Sequence, residues 1–101
     1  MIERQFQFEW DELKAAANVR KHGVSFEIAC TVFHDPRLIT IADLEHSENE
    51  ERWFSIGLAS NGAILSIAYL WKEVGTNLVE IRLISARNPT EKETRQYQEG
   101  A

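Results

Sequence analysis

The chain has one cysteine among its 101 residues, so no disulfide can form within it. Cys30 lies among Ile28, Ala29, Val32 and Phe33. It reads as a small buried apolar residue, and the chain suits a reducing cytoplasm. There are only two prolines, Pro36 and Pro89, and each marks the end of a regular segment. No apolar run approaches the ~20 residues of a membrane helix. The opening MIERQFQFEW alternates and carries charge, so no signal peptide is expected. Basic residues are outnumbered, with 11 Lys and Arg against 16 Asp and Glu and a net charge of −5. That counts against a surface that attracts nucleic acid everywhere, but it does not exclude a local basic patch. G-x-x-x-x-G-K-[ST], G-x-S-x-G and G-x-G-x-x-G are all absent, which leaves nucleotide hydrolase, serine hydrolase and Rossmann readings without support. His22, His34 and His46 have no metal-ligand spacing. His46 could contribute to a weak ion site with Asp43, Glu45 and Glu48, but DLEHSENEE (43–51) reads better as a solvated loop. No metal and no cofactor are expected.

What is present suits one domain, residues 1–101, with one modest core: 44% of residues are hydrophobic and 10% aromatic. A strand is expected over Ile2 to Phe8, where Ile2, Arg4, Phe6 and Phe8 alternate with Glu3, Gln5 and Gln7. Asp11 stands as the N-cap of a helix that Gly23 stops, with Leu13, Ala16, Ala17 and Arg20 near one stripe. Ser25 caps a second helix, in which Phe26, Ala29, Cys30 and Phe33 recur at helical spacing. Four strands follow: Leu38–Ile41, Arg52–Leu58, Ala63–Trp71 and Leu78–Ala86. Asn61-Gly62 fits a type I′ hairpin turn, and Gly75–Asn77 supplies the next turn. Thr90 and Glu93 form a capping box, so a last helix runs from about Glu91. The order β-α-α-β-β-β-β-α predicts an α+β fold with an antiparallel sheet packed against helices.

The stretch IRLISARNPTEKE (81–93) carries the most chemistry. Arginines at the end of a buried strand are costly unless paired or used. Strict alternation sends Val79, Ile81, Leu83 and Ser85 one way and Glu80, Arg82, Ile84 and Ala86 the other. Arg82 and Arg87 therefore need not share a face. Either they form a phosphate-binding cluster, or Arg82 pairs with a carboxylate such as Glu80 or Glu93. In NVRKHG (18–23), Arg20, Lys21 and His22 at a helix end are favoured by the helix dipole, and His22 is also a candidate acid–base residue. Tyr69 and Trp71 share a strand face and either pack in the core or stack on bases.

Three segments, FEWDELKAAANVRKHGVSFEIACTVFHDP (8–36), EERWFSIG (50–57) and EIRLISARNPTEKETRQY (80–97), resemble in order the signatures of BrnT-type toxins of type II toxin–antitoxin systems. The resemblance implies a RelE-like ribonuclease fold with helices on one side of the sheet and a concave side for RNA. It implies metal-independent RNA cleavage that inhibits translation and growth. It also implies neutralisation by a small DNA-binding BrnA-like antitoxin in a 2:2 complex, which binds promoter DNA. On this chain the family's catalytic set falls on Ser85 and Arg87 of ISAR, with Arg82, and on Lys72 as the cation of the preceding strand. There the chain reads YLWK where the family's pattern has Arg. His22 is the candidate for proton transfer, and Lys21, Arg52, Arg95, Tyr69 and Trp71 are expected RNA contacts. The net charge and Lys72 motivate an alternative: a non-catalytic module that binds the antitoxin and takes part in promoter autoregulation.

Overall fold

Phe6 and Phe8, alternating with glutamines, form the first strand, β1 (Gln5–Glu9). It is followed by α1 (Glu12–His22), α2 (Phe26–Ala29) running into a 3-10 turn at Cys30–His34, β2 (Ile39–Ala42), a 3-10 turn at Leu44–His46, β3 (Glu51–Leu58), β4 (Ile64–Gly75), β5 (Leu78–Arg87) and α3 (Glu91–Glu99). This computed structural model describes residues 4–46 and 50–100. Ile2, at the start of the expected first strand, and residues 47–49 of the acidic stretch lie outside the described residues. The element order is the expected one, and so are the helix starts. The Asp11 side chain accepts from the Leu13 and Lys14 N–H groups, and that of Ser25 from Ile28 N–H. Thr90 and Glu93 close both halves of the capping box. Gly23 ends α1 in the left-handed region at φ 72°, a conformation glycine adopts without steric cost.

The five strands lie in the order β1-β5-β4-β3-β2. β2 to β5 are antiparallel neighbours, but β1 joins β5 in parallel, so the sheet is mixed rather than wholly antiparallel. No hairpin links β1 to β5. The chain leaves β1 through two helices and returns from the far edge, which permits the parallel pairing. β4 is longer than expected because Lys72 to Gly75 continue the ladder.

One face of the sheet holds the core. Phe26, Ala29, Val32 and Phe33 from α2 and its 3-10 turn pack against Ile67, Tyr69, Val79, Ile81, Leu83 and Ala86. Burying a side chain as completely as Phe26 contributes about 1.5–3 kcal/mol. α1 sits on β5 through Ala15 and Asn18, not through the expected stripe, and Leu13 is left 82% exposed. α1 is held by small and polar contacts because its periodic apolar residues are mostly alanines. The opposite face is covered only at one end, where α3 crosses it. There Ile56 and Tyr97 are buried outside the main core, and the Tyr97 hydroxyl donates to the Asp35 carboxylate.

Two details differ from the sequence expectation. At Asn61-Gly62 only Gly62 takes positive φ, 88°. Gly62 N–H donates to Ala59 C=O, and Ala59 N–H to Ala63 C=O. This is a type I turn closed by a glycine bulge, not the type I′ turn that needs both central residues at positive φ. On β5 the register against β4 shifts between Ala68 and Tyr69: Tyr69 pairs with Leu83 and Ala68 with Ser85. Ile84 is therefore an extra residue, a β-bulge. Beyond it the alternation reverses. Ala86 joins the core, and Ser85 and Arg87 turn to the open face beside Arg82.

Deleting Ile84 is accordingly expected to leave a regular ladder with the same faces, at a cost below about 2 kcal/mol. Deleting Ile81 forces a change of parity on core residues and is expected to cost more than about 4 kcal/mol. Thermal unfolding followed by circular dichroism checks the pair, and equal losses would refute the bulge assignment.

Candidate active site

The open face is built from alternate residues of three strands. β5 contributes Arg82, Ser85 and Arg87. β4 contributes Ser66, Ala68, Leu70 and Lys72, and β3 contributes Arg52 and Phe54, by register with those β4 residues. The arginines are fixed by carboxylates. Arg87 makes a two-pronged pair with Glu93 at the start of α3, with Nη1–Oε1 2.8 Å and Nη2–Oε2 3.1 Å. Its guanidinium lies 5.6 Å from the centre of the Phe54 ring. Glu93 Oε1 also accepts from Ser66 Oγ at 2.9 Å and from Thr90 N–H at 2.9 Å. The Arg87 bonds, against the cost of burial, hold the Glu93 carboxyl at about 2, well below its usual range. The same bonds push Arg87 up.

Arg82 pairs with Glu9 of β1 at 3.2 Å, not with Glu80 or Glu93. Arg52 lies 3.3 Å from Asp43. Lys72 sits opposite Glu80 in the ladder and lines a hollow of about 620 Å³ with Glu50, Glu51, Glu73 and Trp71. Carboxylates in that company weaken the pull of Lys72 on a phosphate, as Glu9 and Glu93 do for the two arginines. Ser85 is part-buried between the two arginines on the same face.

Several expected site residues lie elsewhere. Tyr69 is 1% exposed, its hydroxyl bonded to Ser55 Oγ at 2.7 Å and its ring edge-on to Phe33, so no base can stack on it. Trp71 packs edge-on against Phe6 at the rim of the core, with Arg4 over its ring, and its indole faces away from the open side. Both expectations of base stacking are corrected: with β3 and β5 flanking β4, these positions fall on the core side. His22 and Lys21 end α1 on the covered face, across the sheet from Arg82, Ser85 and Arg87. The structure does not bring His22, the expected proton-transfer residue, onto the face that carries the arginines. Arg95 is exposed on α3.

Sequence reasoning missed Asn18. Its side-chain amide donates to Val24 C=O at 2.9 Å and to Ala86 C=O at 2.8 Å, and its carbonyl accepts from Ala86 N–H at 3.1 Å. It pins the strand end that carries Arg87. The available signal was an Asn in a helix interior, where its propensity is poor and a tertiary reason is needed.

Residues 10–93 match the family model for the ribonuclease toxin BrnT of type II toxin–antitoxin systems. The chain belongs to the BrnT family. In architecture it resembles the crystal structure, at 1.1 Å resolution, of the Brucella abortus ribonuclease toxin BrnT. The TM-score is 0.54 at 22% identity, over 86% of this chain and 100% of that one. At that identity the likeness speaks for the fold alone. No curated protein matches the chain. Membership in a BrnT family of type II systems makes this a ribonuclease-toxin fold with an antitoxin as its partner. No helix among the described residues is long and apolar enough to cross a membrane.

Proposed function

We propose that this BrnT-family chain is an endoribonuclease that cuts RNA on the open face of its sheet without a metal, and that a BrnA-like antitoxin silences it by covering that face. The observation that carries the reading is the bulge at Ile84, which gathers Arg82, Ser85 and Arg87 on one side of one strand. RNA supplies its own nucleophile. A 2′-hydroxyl loses its proton and attacks the adjacent phosphorus, the bond to the 5′-oxygen breaks, and that oxygen takes up a proton as a 2′,3′-cyclic phosphate forms. Charge builds on the non-bridging oxygens of the phosphorane. In this reading Arg87 and Arg82 hold those oxygens with their forked donors, Ser85 adds a hydroxyl donor, and Lys72 and Arg52 contact flanking phosphates. The antitoxin complex, in a 2:2 arrangement, would bind promoter DNA through the antitoxin, and the toxin acts in the cytoplasm.

The arginines' carboxylate partners favour a second reading, that of a binding module without nuclease activity, because they leave the face close to neutral. The test is cleavage of total RNA by the purified chain in EDTA beside Arg82→Ala. Arg82 is half-exposed, so its removal spares the fold. We expect the wild type to cut and the variant to cut at least tenfold more slowly. A folded wild type that leaves RNA intact, with and without ribosomes, would establish the binding module instead.

A further inference from the structure

Glu93 does more than cap α3. One of its oxygens accepts three hydrogen bonds, from Thr90 N–H, Ser66 Oγ and Arg87 Nη1. Its other oxygen takes Arg87 Nη2. With four hydrogen bonds accepted, the carboxylate is anchored by two elements besides the arginine: the start of α3 and strand β4. Arg87 is gripped along one edge of its guanidinium while the Phe54 ring lies close by. A fork held on one edge presents its remaining N–H groups in a fixed direction. That is the condition under which donors stabilise a developing oxyanion without first reorganising. A bare surface carboxylate beside a phosphate site would only repel the substrate. The anchoring of this one by Ser66 and by the helix start is what makes it useful.

We propose that Glu93 is a positioning residue for RNA cleavage: it fixes the Arg87 guanidinium for the transition state and, by its charge, weakens ground-state binding of the phosphate. The proposal rests on the nuclease reading above and deepens it. It separates two kinetic effects that a purely structural role would merge. Glu93→Gln removes the negative charge and weakens the grip, so RNA binds as well or better while the chemical step slows. We expect kcat to fall about 10- to 100-fold, with KM unchanged or lower. Thr90→Ala is the companion variant. It removes the side-chain cap on Glu93 N–H yet leaves the Glu93–Arg87 pair, and kcat should stay within about twofold.

The experiment measures kcat and KM on a short single-stranded RNA for wild type, Glu93→Gln and Thr90→Ala. Beside it, the Arg87 Nε–H signal is followed by nuclear magnetic resonance. That signal should be sharp in wild type and Thr90→Ala and broadened in Glu93→Gln. If Glu93→Gln keeps or raises kcat, Glu93 restrains Arg87 rather than positioning it, and the proposal is overturned. Equal losses in both variants would reduce Glu93 to a helix cap. An inactive wild type would instead bring down the nuclease reading, and the catalytic role with it, a result recognisable because no variant then differs.

Discussion

Asn18→Leu is expected to be the most damaging single polar substitution in the chain. Asn18 is 6% exposed and satisfies three backbone groups at once, at 2.9, 2.8 and 3.1 Å. Leucine is of similar size and apolar, so packing alone predicts tolerance. The hydrogen-bond accounting predicts the reverse. Val24 C=O, Ala86 C=O and Ala86 N–H would each lose their Asn18 partner where water has little access. Each such loss costs about 1–3 kcal/mol, or about 3–9 kcal/mol together. A domain of this size holds about 5–15 kcal/mol in all. The melting temperature should fall by about 12–25 °C or more. A loss below about 1 kcal/mol would mean that these groups find other partners. Because Ala86 precedes Arg87, a partly folded variant should also lose nuclease activity beyond its folded fraction.

The second large effect is expected at Arg87. Arg87→Ala removes the best-fixed donor on the open face, and cleavage should fall by about 10²–10³-fold. The fold should persist, since Glu93 retains Thr90 N–H and Ser66 Oγ. Arg87→Lys keeps the charge but not the fork, so its activity should lie between wild type and Arg87→Ala. The same pair shapes acid stability. The folded Glu93 carboxyl sits at about 2, below its ordinary 4.5, chiefly because of Arg87. Its contribution is therefore complete above the unfolded value and is lost as pH falls from about 4.5 through about 2. Without Arg87 the main cause is gone, and stability should decline less steeply across that window. Wild-type cleavage rates in a folded Arg87→Ala protein would remove Arg87 from the site, and identical acid melting profiles would argue against the pair.

The elements were legible in the sequence wherever a local cause produced them. Asp11, Ser25 and Thr90 with Glu93 mark helix starts by their own hydrogen bonds, and the alternation of Phe54, Ile56 and Leu58 marks β3. The illegible parts depend on partners distant in the chain. That Asn18 and not Leu13 faces inward is decided by Ala86, 68 positions away. That Tyr69 and Trp71 face the core follows from which strands flank β4. The Ile84 bulge carries no glycine or proline to announce it, and without it Arg87 would fall on the wrong face. The basic strand end was visible as a candidate, but its carboxylate partners were not all so. Glu93 stood out as a helix cap, whereas Glu9 becomes the partner of Arg82 only once β1 lies alongside β5.

The parallel pairing of β1 with β5 has a bearing on synthesis. Glu9 and Arg82 are separated by 73 positions, and β5 is the middle member between β1 and β4. Until β5 has left the ribosome, β1 has no neighbour and β4 lacks one of its two. The helices and the β2–β3–β4 meander can form early, from nearby contacts, but the sheet cannot close. Arg82, Ser85 and Arg87 are carried by that late strand, and the Glu93 that grips Arg87 follows it. A growing chain therefore lacks the Arg82–Ser85–Arg87 face until nearly all of residues 4–100 are made, and under the proposed nuclease function the translating ribosome meets no assembled site before then.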